Sequence, residues 1–79
     1  MFEVKGPVDG VATLWRDEDA WGAVGSDEVD GEVWTHFSHI DGGTEYRRLI
    51  AGEPVRFMHE APGQDGYPHR AVSLERLGR

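Results

Sequence analysis

Gly10-Val11-Ala12-Thr13-Leu14-Trp15-Arg16-Asp17-Glu18-Asp19-Ala20-Trp21-Gly22-Ala23-Val24 reads as two short β-strands joined by a tight polar turn. The first run, residues 11–16, is entered through Gly10 and left through Asp17-Glu18-Asp19, where acidic side chains suit an Asx or type I turn. The second, residues 21–24, ends at Gly25-Ser26-Asp27. A third, residues 32–37, follows Asp30-Gly31, a hairpin signal because glycine accepts the positive φ of a two-residue turn. These runs form one meander. An irregular stretch over residues 38–51, with Gly42-Gly43 at its centre, separates them from a run at 54–60. A turn at residues 63–66 then leads to the last run, 69–77. No segment repeats apolar residues at helical spacing. Strands grouped three plus two across a long connection follow the plan of an all-β, five-stranded antiparallel OB-fold barrel. Residues 1–8 read as an N-terminal extension or edge segment, and residues 9–77 as the barrel.

A chain of 79 residues is expected to form one domain with one core. A domain of this size buries only about 60 % of the surface its unfolded chain exposes. Each large apolar residue therefore serves either the core or a binding face, which makes the three tryptophans informative. The absence of cysteine excludes disulfide stapling, thiolate catalysis and a cysteine-based zinc site. No basic leader precedes an apolar segment, and no apolar run approaches the roughly 18 residues of a membrane span. A cytoplasmic location is the expectation. The formal charge is −7, from 8 basic and 15 acidic residues, whereas a plain nucleic-acid binder is expected to be basic. Nine of the acids fall in the first 32 residues beside only Lys5 and Arg16, so that segment carries the whole excess. Such a field repels polyphosphate at long range, but it is screened beyond about 8 Å near physiological salt, which leaves local contact open.

The stretch from Gly10 to Val24 resembles the opening of bacterial cold-shock proteins, which runs Gly-Thr-Val-Lys-Trp-Phe-Asn and then Lys-Gly-Phe-Gly-Phe-Ile. The family's second motif, Val-Phe-Val-His-Phe-Ser, is closer to Val33-Trp34-Thr35-His36-Phe37-Ser38, followed by His39-Ile40. Tyr46-Arg47-Arg48-Leu49 and Gly52-Glu53-Pro54-Val55-Arg56-Phe57 are similar to its Phe-x-x-Leu and Gly-x-x-Val-x-Phe, with one residue inserted before Tyr46. The resemblance spans about residues 8–74, and Gln64-Asp65-Gly66-Tyr67 particularly resembles the short actinobacterial members. It implies binding of single-stranded RNA or DNA, with unpaired bases stacked on exposed rings at about 1–3 kcal/mol per base. Carried over residue by residue, that role falls on Trp15, Trp21, Trp34, His36, Phe37 and Tyr46, and Tyr67 is a further candidate stack. The family's lysines beside the strip fall on Thr13 and Asp19, its first-strand tryptophan on Leu14, and the last aromatic of its first motif on Ala23. Its Gly-Pro-Gln falls on Gly66-Tyr67-Pro68. Arg47, Arg48, Arg56 and Arg70 are candidate replacements for the lost phosphate partners.

Period-two spacing puts Trp34 and His36 on one face of their strand and Val33 and Thr35 on the other, toward the core. Exposure is expected for Trp21, Trp34 and His36. For Phe37, Trp15 and Tyr46 the neighbours alternate less clearly, and core and surface stay open. Phe57, Ile40, Val55 and Val72 are assigned to the core. His36, His39, Asp41, His59 and His69 offer donors enough for zinc, but two histidines three apart at a strand end face different ways, and no metal or cofactor is expected. Asp17 and Asp19 sit in a turn without a pocket to perturb them, so the chain is not read as an enzyme. Two functions remain. One is single-stranded nucleic-acid binding, which by resemblance would serve an RNA chaperone or transcription modulator. The other is an acidic OB-fold interaction module for a basic protein partner. A neutral or basic rim around Trp21, Trp34 and His36 favours the first, and a continuous acidic rim the second. A monomer without membrane association is expected, as is common in the family.

Overall fold

The computed structural model describes residues 3–41 and 48–78. Within them, β1 (Lys5–Arg16), β2 (Trp21–Gly25), β3 (Val33–His36), β4 (Pro54–Glu60) and β5 (His69–Arg76) close into a barrel in the order β1-β2-β3-β5-β4. A turn of 3-10 helix, Phe37–His39, follows β3. This is the OB-fold barrel. Its neighbours pair antiparallel except β3 and β5, which run parallel because the chain crosses the barrel between them. β1 begins at Lys5, so residues 5–8, read from sequence as part of an extension or edge segment, lie in a barrel strand. Its first half pairs with β4 and its second half with β2, with Val11 paired on both sides. The connection from β2 to β3 spans residues 26–32 rather than a two-residue turn; it tucks Val29 inside and keeps Gly31 at φ +97°.

The interior is filled by Ala12, Val24, Val29, Val33, Ile40, Leu49, Val55, Phe57, Ala71 and Leu74, with Val8 and Trp15 packed against it. Val33 and Thr35 face inward as the alternation requires, and both are fully buried. Val72, assigned to the core from sequence, is instead 41 % exposed. The cause is a bulge. Met58 pairs with Ser73 and His59 with Ala71, so Val72 is the extra residue, and Ala71 and Leu74 point inward on either side of an outward Val72-Ser73 pair. A second bulge interrupts β1, where Ala12 pairs with Val24 but Leu14 with Ala23. Beyond it the alternation reverses, which carries Trp15 to the side of Gly22 and the core and leaves Leu14 exposed. Gly22 is needed there, since a Cβ would meet the Leu14 carbonyl and lie 2.6 Å from Trp15 Cε3.

One polar ring shares the inner face. His59 is 6 % exposed, lies 5.9 Å from Phe57 and 5.3 Å from His69 between ring centroids, and leaves Nδ1 without a partner. Burial first, then His69 and Lys5, hold its pKa below the ordinary imidazole value. Below about pH 6.5 the unfolded chain therefore binds a proton that the folded chain does not, so stability is full above that pH and falls as pH drops toward the depressed folded pKa. His39 is depressed in the same direction and adds to the slope.

Two predictions follow from this packing. Phe57→Ala lowers stability by about 3–5 kcal/mol, whereas Val72→Ala changes it by less than about 0.5 kcal/mol; denaturant melts that gave equal losses would contradict the bulge. The thermal midpoint declines between pH 7 and pH 5, and the decline is shallower in His59→Phe, with His39 supplying what remains. An unchanged slope in that variant would remove His59 as the cause.

Candidate functional site

Pairing of β2 with β3 sets Trp21 opposite His36 and Ala23 opposite Trp34, on the face turned away from Val24, Val33 and Thr35. The rings there form one connected surface. Trp21 lies 6.3 Å from Trp34, and Trp34 lies 6.0 Å from His36 in a stacked arrangement. Phe37 follows at 4.6 Å from His36, and Tyr67 meets Trp21 edge-on at 6.1 Å. His39 contacts both Trp34 and His36 edge-on, a ring that the sequence reading had not placed in the strip. Its signal lay in the i, i+3 spacing from His36, which a 3-10 turn brings to one side where a strand would not.

Trp34 has the expected direction but not the expected exposure, since it is only 7 % accessible. Trp21, His36 and His39 surround it, so it is the foundation of the surface and not a free platform. Phe37 is 39 % exposed, while Trp21, His36 and Tyr67 are half-buried. Trp15 does not join them: the bulge turns it to the core side, and its Nε1 donates to Asp17 Oδ1 at 2.9 Å. Tyr46, with Arg47, lies outside the described residues.

Local chemistry fixes these rings. His36 caps the 3-10 turn, its Nδ1 accepting from the Ser38 backbone N–H, while His39 Nδ1 accepts from the His36 backbone N–H at 3.2 Å. Tyr67 is held by the turn before β5, where Gly63 runs against the Tyr67 carbonyl so closely that a Cβ would collide with it. Pro68 also packs over Gly31, at 2.7 Å from the position a Cβ would take. The arginines near the face are paired. Arg16 lies 5.8 Å over the Trp21 ring and binds Asp19 at 2.8 Å. Arg48 binds Asp17, and Arg70 binds Glu60 at 2.7 Å. Each of these pairs is neutral in sum, while Glu18, in the turn with Asp19, and Asp65, beside Gly66-Tyr67, add acidic charge nearby. Further acids, Asp9, Asp27 and Glu28, line a separate groove between β1 and the loop after β2.

Among the described residues no group of three or more metal-ligating side chains converges, and no helix is long and apolar enough to cross a membrane. No protein-family model matches the chain, and no curated protein matches it.

Proposed function

We propose that this protein binds single-stranded nucleic acid, RNA or DNA, by stacking unpaired bases on the outer face of β2 and β3. The observation that carries the reading is the connected aromatic surface of Trp21, Trp34, His36, Phe37 and Tyr67 outside a barrel whose core is already filled. Apolar rings not needed inside have a use where a partner covers them, and bases present flat π-faces of matching size. The arginine–carboxylate pairs near the rings interrupt the acidic charge, which supports this reading over an acidic protein-docking module with a continuous acidic rim. The ordered resemblance to cold-shock proteins points the same way. By the same resemblance, binding lowers the free energy of an open strand relative to its hairpin, with no cofactor and no chemistry. Trp21, Phe37, His36 and Tyr67 meet the bases, and Trp34 holds their rings in place.

Titrating the intrinsic tryptophan fluorescence with short single-stranded oligonucleotides tests this. Saturable quenching is expected in the micromolar range, weakened about tenfold in Phe37→Ala, whose exposed ring is dispensable for the core. Because the rim arginines are held by carboxylates, the plot of log K against log salt is expected to be no steeper than about −1.4, two phosphates at about −0.7 each. Absence of any signal change at low salt, whatever the base composition, would overturn the proposal and direct attention to a basic protein partner.

A further inference from the structure

Beside the aromatic surface lies a groove of about 410 Å³, room enough for a purine, with Trp34, His36, His39, Gln64, Arg70 and Val72 among its lining residues. Val72 reaches it only because of the bulge in β5. Backbone N–H groups face one ring nitrogen of each histidine. His39 Nδ1 accepts from the His36 N–H at 3.2 Å, and His36 Nδ1 accepts from the Ser38 N–H at 3.4 Å with the Ser38 hydroxyl, 3.0 Å away, able to donate to it as well. A ring nitrogen that accepts carries no proton, so in each neutral imidazole the hydrogen sits on Nε2. Burial, then His36 and Arg70, hold His39 below the ordinary imidazole pKa against the opposing pull of Glu60, which keeps the ring neutral at pH 7. Two Nε2–H donors therefore remain on rings that line one groove, 6.2 Å apart between centroids. Its side-chain acceptors are the Gln64 amide oxygen and the Glu60 carboxylate, whose Oε2 is engaged by Arg70 Nε. In the same wall the Trp34 Nε1–H is buried without a partner, a further donor.

A site rich in donors selects a ligand edge rich in acceptors. Among the purines guanine sets two acceptors side by side, O6 and N7, on one edge, where adenine puts an amino donor beside its N7. Cytosine also pairs two acceptors, N3 and O2, but flanks them with its amino donor and, as a single ring, fills less of a groove of about 410 Å³, while uracil and thymine separate their two carbonyls by the N3–H donor. We infer that the groove is a guanine-preferring subsite for one base of a bound single strand, with the Nε2–H groups of His36 and His39 donating to O6 and N7. The inference rests on the single-strand reading above.

The test is a fluorescence titration at neutral pH with a short thymidine oligonucleotide carrying one central guanine, hypoxanthine, adenine or 7-deazaguanine. Guanine and hypoxanthine, which share O6 and N7, are expected to bind about tenfold tighter than adenine, and 7-deazaguanine to lose most of that gain. Because only the ligand changes, the comparison does not depend on a variant folding. In His39→Phe, checked for its fold by circular dichroism, the ratio of guanine to adenine affinity is expected to fall to about one, whatever the change in absolute affinity. Equal binding of guanine and adenine overturns the inference, as does full retention of affinity by 7-deazaguanine. If the oligonucleotides bind without discrimination, the stacking reading stands and the subsite falls; if none binds at low salt, both fall.

Discussion

A ring of five strands encloses little space, and that limit decides where each large side chain of this chain can go. The interior is taken by valines, alanines, leucines, one isoleucine and the single phenylalanine Phe57. None of the three tryptophans enters it fully: Trp15 packs against it from the side, and Trp21 and Trp34 lie outside. The aromatic surface is thus a consequence of closure as much as of the local pattern. Closure in turn depends on β1, which pairs with β4 along its first half and β2 along its second and so belongs to both sides of the barrel. Gly10 and Gly22 both permit that pairing with β2, since a Cβ on either would collide with a carbonyl of the other strand.

The number of strands and their closure into a barrel were legible in the sequence, and β4 begins and ends where its apolar run does, whereas the parallel pairing of β3 with β5 was not. That success has a physical basis, because turns rich in glycine and aspartate and short β-branched runs are local signals. The bulges were not legible. Thr13 and Val72 are ordinary strand residues, and the extra residue at each is set by the register of the partner strand, which no local pattern encodes. Both misplaced assignments trace to them or to packing: Val72 went outward with its bulge, and Trp34 faces outward as alternation requires but is covered by rings from other segments. Alternation gives direction, while burial depends on neighbours distant in sequence. Residues 5–8 stayed open between an extension and an edge segment because so short a run carries little pattern, and their pairing to β4 shifts register between Lys5 and Val8.

The 3-10 turn after β3 links fold to chemistry. Short turns leave backbone N–H groups without helical partners, and here imidazole nitrogens satisfy them. Each such bond holds a ring at a set angle and consigns its proton to the far nitrogen. The same hydrogen bonds that terminate β3 therefore orient His36 and His39 and determine that the groove beside Trp34 presents donors.

The acidic balance becomes intelligible on the proposed reading. Each arginine among the described residues is held by a carboxylate, namely Asp19, Asp17, Asp9, Glu60 and Glu53, so little positive charge is left to attract phosphate. A basic binder gains affinity from any polyanion, duplex included, because backbone charge is common to all of them. A stacking binder with net charge −7 gains only where bases are unpaired and accessible, and a duplex, with twice the charge and its bases stacked away, is repelled without compensation. Selectivity for single strands over duplex then arises as a difference between two unfavourable electrostatic terms and one favourable contact, and the acids that weaken absolute affinity sharpen that difference.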